Sequence, residues 1–171
     1  LPEGDNPFMR GLEDEVRRAG AHSLVERTQL SVVTVPAFDG RALAREIDGA
    51  IERAVAGIAA VAVDAPEVLA AIGRAREAGI PFVTLVSDLA NSGRDHFIGV
   101  DNIAAGRTAG SLMGRFLGER PGPVAVLAGS MRVRDHGERL EGFLAAMSVS
   151  RAILPVLEGQ DDPELSFGLI A

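Results

Sequence analysis

Few side chains in this sequence have the types and spacing that covalent chemistry requires. The three histidines, His22, His96 and His136, stand singly, and none falls in the H-E-x-x-H spacing that sets two imidazoles on one helix face for a metal. Cysteine is absent, which removes thiolate nucleophiles, thiolate metal ligands and disulfides together. Ser130 follows an apolar run in Ala128-Gly129-Ser130-Met131, yet the second glycine of a G-x-S-x-G elbow is lacking. Neither a P-loop nor a G-x-G-x-x-G fingerprint occurs. The expectation is a protein that is not an enzyme and uses no cofactor and no metal. What remains is recognition by hydrogen bonds and ring faces. Asn6 can donate and accept at once, as a ligand hydroxyl requires, and Phe8 offers an apolar face two residues on. Both also have structural uses, Asn6 as a helix cap and Phe8 as core.

The elements that would position such residues alternate between short β-branched runs and amphipathic stretches, the pattern of a doubly wound α/β parallel sheet. Pro7 suits a first helical turn, with Met9, Leu12, Val16 and Ala19 on one face; continuation over 22–29 is left open. Residues 30–35 read as a strand, and Asp39 as the cap of a helix carrying Leu43, Ile47, Ile51 and Ala54. A nearly all-apolar strand over 58–63, a helix opened by Pro66 and closed by Gly79, and a strand over 81–86 come next. After a polar loop at 87–95, a strand over 97–100 leads to Asp101, the cap of a helix over 102–117. Gly106, Gly110 and Gly114 make a smooth strip on that helix, read here as close packing on the sheet. Gly118, Pro121, Gly122 and Pro123 mark the expected lobe boundary, dividing 1–118 from 119–171. Beyond it come strands over 124–128 and 153–157, a stripe of Leu140, Phe143, Leu144 and Met147, and a helix from Asp162-Pro163. Both ends read as cut, the first lobe without its first strand and the second lobe truncated.

The bulk properties narrow the partners. Apolar residues at 47% predict a packed core. A formal charge of −7 and a pI near 5.0 argue against this segment gripping a phosphate backbone, which takes clustered Lys and Arg. No apolar run approaches the ~20 residues needed to span a bilayer, so no membrane partner is expected. The first ten residues carry Glu3 and Asp5 in place of a basic leader region.

Three segments, in order and at matching spacing, carry a resemblance. They are Asp5-Asn6-Pro7-Phe8-Met9; Ile98-Gly99-Val100-Asp101-Asn102 with Ala105-Gly106-Arg107; and Glu138-Arg139-Leu140-Glu141-Gly142-Phe143. The sequence resembles the type I periplasmic sugar-binding fold, shared by ribose-binding proteins and the effector domains of lactose-repressor-type (LacI-type) transcription regulators. The last two segments resemble the regulators more closely. The resemblance implies a small-molecule sensing domain in which a sugar or polyol binds between two lobes and modulates DNA binding. It further implies a cytoplasmic homodimer, with DNA reached only through a headpiece outside this sequence. The alternative is a periplasmic sugar-binding protein of an ABC transporter. The same resemblance implies ligand contacts at Asn6 and Phe8, at Ser87 and Asp88 after the 81–86 strand, and at Arg139. A carboxylate such as Asp88 accepts from two adjacent hydroxyls, and the Arg139 fork can hold two ligand oxygens. Val86 stands where ribose binders carry aspartate. Asp88 also suits a turn, Asp101 a cap, and Arg139 a surface ion pair with Asp135, Glu138 or Glu141. Arg132, Arg134, Asp135 and His136 are weaker candidates in the preceding loop.

Overall fold

The computed structural model describes residues 1–2, 6–21, 29–131, 133–147 and 152–170. They form two compact units, one of Leu1–Leu85 with Leu89–Phe97, the other of Val86–Asp88 with Ile98–Ala171.

In the first unit, α1 (Pro7–Ala21) begins at Pro7 as expected, its first turn capped by Asn6. The run at 30–35 is less regular than predicted. It forms a single parallel bridge, Pro2 to Val35, supported by the Val35 N–H donating to the Leu1 carbonyl at 2.9 Å. The Asp39 carboxylate accepts from the Ala42 N–H at 2.9 Å and starts α2 (Gly40–Glu52), whose Ala42, Leu43 and Ile47 are buried. The strand predicted over 58–63 pairs only as β1 (Ile58–Ala60), parallel to β2 (Phe82–Leu85) with Ile58 opposite Phe82. Val61 and Ala62 stay buried beyond the paired stretch, which is why the apolar run exceeds the strand.

Between these strands, α3 (Pro66–Glu77) packs on α2, and Gly79 closes it with φ +73°, a conformation that glycine adopts without a Cβ penalty. The core gathers Ile47, Val68, Ile72, Ala75 and Phe82. Burying the Phe82 ring alone contributes roughly 1.5–3 kcal/mol. A short 3₁₀ turn (Ala90–Ser92) leads to β3 (His96–Ile98), giving the strand order β1-β2-β3. Asp95 is locked to β2 from both directions: its carboxylate accepts from the Phe82 N–H at 2.7 Å and its own N–H donates to the Phe82 carbonyl at 2.8 Å.

The second unit is built on α4 (Asn102–Leu117) and α5 (Arg134–Ala146). Asp101 caps α4 by accepting from the Ala104 N–H at 2.9 Å. One expectation is corrected here. Gly106 and Gly110 do not pack on the sheet; they face the backbone of α5, and Gly142 returns the contact by facing the backbone of α4 at Ile103. A β-carbon at any of the three would meet a main-chain carbonyl, so only glycine lets these helices approach so closely. Gly114, the third of the strip, has open space above it. The compact units are a division by packing. Because α4 is stitched to α5 through these glycines, residues 102–117 belong to the second unit and not to the first. The rest of the unit is a two-stranded parallel sheet of β4 (Leu127–Ala128) and β5 (Leu157–Glu158), extended by a Val124 to Ile153 bridge, and then α6 (Pro163–Ile170). Asp162 caps α6 through the Leu165 N–H at 2.9 Å.

Candidate functional site

The expected ligand residues divide between the two units. Asn6 and Phe8 belong to the first, and Ser87, Asp88 and Arg139 to the second. Asn6 does cap its helix, since its carboxamide oxygen accepts from the Phe8 N–H at 3.0 Å. Phe8 is no core residue: it is 60% exposed at the first turn of α1, an apolar ring held toward solvent.

Ser87 and Asp88 come after the end of β2. Val86, directly before them, holds φ +65°, a left-handed conformation that a β-branched residue rarely accepts, and its N–H donates to the Ile98 carbonyl at 2.9 Å. That turn carries Ser87 inward. The serine is buried, and among the described residues its hydroxyl has no hydrogen-bond partner. Asp88 is half-buried.

Arg139 is where the sequence elements converge. Its carbonyl lies against Gly106, so the close approach of α4 and α5 carries the arginine to the start of α4. There the guanidinium Nε donates to the Asn102 carboxamide oxygen at 2.8 Å, across 37 residues of sequence. A guanidinium has no acceptor, so the Asn102 oxygen must face it and the amide NH₂ must turn away. That NH₂ is buried and unpartnered. One turn before Arg139 on α5, Asp135 reaches Nη2 at 3.3 Å with one carboxylate oxygen, while the other oxygen is buried without a partner. Of the three ion-pair partners weighed for Arg139, the structure selects Asp135.

Asn102 and Asp135 are therefore the residues that sequence reasoning undervalued, the first seen only as the start of a helix and the second as a weak candidate. Both are nearly wholly buried. Among the described residues neither the Asn102 NH₂ nor one oxygen of Asp135 has a hydrogen-bond partner, and a buried polar group left so costs roughly 1–3 kcal/mol. The only signal in the sequence was Asn102 and Arg139 each standing within a matched motif.

His136 sits beside this group. The Gly129 N–H donates to its Nδ1 at 3.2 Å, so that nitrogen is an acceptor, and Nε2 lies 3.9 Å from Asp135. The Nδ1 lone pair of the imidazole is thus engaged by the main chain. Arg134 pairs with Glu138 at 2.8 Å along α5. Asp5, His22 and Arg132 lie outside the described residues. Among the described residues, no group of three His, Asp or Glu side chains could hold a metal ion, and no helix is long and apolar enough to cross a membrane.

The accessible group here is the half-exposed guanidinium of Arg139, a planar donor backed by the buried Asn102 and Asp135. Comparison with known proteins gives it a context. A family model described as periplasmic binding protein domain matches residues 1–167. A sequence comparison with curated proteins gives no match. Among solved structures, the chain is similar to an ABC transporter solute-binding protein from Burkholderia graminis in complex with D-arabinose. The TM-score is 0.86 at 27% identity, over 99% of this chain and 58% of that one. It also shares its fold with the fructose-binding periplasmic domain of a hybrid two-component system (TM-score 0.82, 19% identity, 93% and 52% covered). A third neighbour is GanP, a glucose-galactose binding protein from Geobacillus stearothermophilus (TM-score 0.79, 24% identity, 92% and 55% covered). The chain thus spans little more than half the length of these proteins.

Proposed function

Because the chain belongs to the periplasmic binding protein domain family, we propose that it is part of a sugar-binding protein serving an ABC transporter. Its fold is the type I periplasmic-binding-protein fold, with parallel strands and helices, here over part of its relatives' length. The observation that carries the reading is the match over 99% of the chain, at 27% identity, to a solute-binding protein solved with D-arabinose. The second unit supplies chemistry to suit. Arg139 offers donors to ring or hydroxyl oxygens, and the half-buried Asp88 is a candidate acceptor for hydroxyl protons, while Asn102 and Asp135 hold the arginine from behind. Ser87 adds a hydroxyl that can serve either way. In the first unit, Asn6 and the exposed ring of Phe8 are candidates for a hydroxyl and an apolar sugar face. The function is binding and release, and no bond in the ligand is broken.

Transport is favoured over the regulator that the motifs brought forward, since solute-binding proteins with bound sugars recur among the similar structures. The regulator is kept as a second reading on one observation: the segments around Asn102 and Arg139, which the structure joins by a hydrogen bond, are those most like the LacI type. That reading entails a cytoplasmic homodimer acting on DNA through a separate headpiece. The transport reading entails a monomer working outside the cytoplasm. Calorimetry of the full protein with neutral pentoses and hexoses tests what both share, and failure of every sugar to bind would refute both. The sequence upstream separates them, a helix-turn-helix pointing to the regulator and a secretion signal to transport.

A further inference from the structure

The charge arrangement around Arg139 goes beyond the sugar-binding reading, on which it rests, and concerns which sugars are refused. An arginine offered alone to a ligand site attracts phosphate and carboxylate groups, because its fork pairs two oxygens of either. Arg139 is not offered alone. Its Nη2 lies 3.3 Å from Asp135, its Nε is occupied by Asn102, and its side chain is 42% exposed. Asp135 is only 6% exposed and has an unpartnered oxygen, so little solvent screens its charge. Any ligand atom touching the accessible part of the Arg139 fork therefore also feels this carboxylate a few ångströms away. An anionic ligand meets a pair whose charges cancel, and its own negative charge is set against a buried one. A neutral hydroxyl meets no such opposition.

We propose that Asp135 is a specificity-determining residue that makes this site select neutral sugars and exclude their phosphorylated and acidic counterparts. The other charged groups on this stretch of α5 do not duplicate the effect. Arg134 and Glu138 pair with each other at 2.8 Å, and His136 uses its Nδ1 to accept from Gly129.

The test is calorimetric titration of the full protein with matched probes: D-fucose against D-galacturonate, which exchanges a methyl for a carboxylate, and D-arabinose against D-arabinose 5-phosphate. The wild type is expected to bind the neutral member of a pair at least about tenfold more tightly. Asp135→Asn keeps an oxygen for Arg139 and removes the charge, and it should narrow that ratio by about tenfold. Glu138→Gln removes one charge from the same helix away from Arg139 and should leave the ratio unchanged. An acidic probe bound as tightly as its neutral partner by the wild type overturns the proposal, and that result stands even if D135N does not fold. A ratio that survives in folded D135N, or that moves equally in E138Q, also overturns it. Absence of binding by every neutral sugar refutes the sugar reading itself, and is recognisably different from binding without discrimination.

Discussion

Alanine at Gly106 should separate the two helices that hold Arg139 in place. A β-carbon there would overlap the Arg139 carbonyl oxygen and crowd the Phe143 amide nitrogen, and neither atom can rotate aside as a side chain would. Overpacking costs about 1–3 kcal/mol, and a main-chain obstacle places this case near 3. Replacing glycine by alanine inside a helix returns about 1 kcal/mol through lower backbone entropy in the unfolded chain. The net is a loss of about 2 kcal/mol. For a chain of this size that lowers the melting temperature by roughly 4–8 °C. Gly114, eight residues on in the same helix, has nothing within 4 Å of an added β-carbon. Its alanine variant keeps the propensity gain without the collision, so its melting temperature should rise by roughly 2–4 °C. Thermal unfolding followed by circular dichroism on both variants decides the matter. If Gly106→Ala and Gly114→Ala shift the transition in the same direction, the close-packed α4/α5 interface is wrong, and with it the placement of Arg139 against Asn102.

Other consequences are open to measurement. Asp39→Ala removes the acceptor for the Ala42 N–H at the start of α2 and should cost about 1 kcal/mol of stability in denaturant unfolding. Asp95→Ala strips the carboxylate from the Phe82 N–H, leaving a donor unpaired beside a buried ring, so a larger loss of about 1–3 kcal/mol is expected in the same assay. Phe8→Ala, at an exposed position, should change stability by no more than about 0.5 kcal/mol. A substantial loss of sugar affinity in that variant would then mark Phe8 as a ligand contact.

Local signals were the legible ones. The prolines at the first turns of α1, α3 and α6, the caps at Asp39 and Asp101, and the αL glycine at Gly79 each act within a few residues, and each is found where the sequence places it. Strand lengths were less legible, because pairing depends on a partner elsewhere in the chain. The apolar run at 58–63 is buried along most of its length yet pairs over only three residues. The glycine strip was visible but its partner was not. Spacing of four describes a smooth helix face equally well against a sheet or another helix, and the answer lay in Gly142, the matching glycine on α5. The same long-range packing conceals the Arg139 contact with Asn102. Nothing local to either residue specifies the other, and the unpartnered NH₂ of Asn102 emerges only once the guanidinium fixes its orientation.

The most direct test is a titration of the full protein with neutral sugars, repeated on Arg139→Lys. Lysine keeps a positive charge near Asp135 but cannot bond Asn102 and also present a planar fork. The account predicts saturable binding of at least one sugar by the wild type and affinity weakened about tenfold or more in the variant, with the fold intact by circular dichroism. Undiminished affinity in the lysine variant, or no sugar bound by either protein, would contradict it.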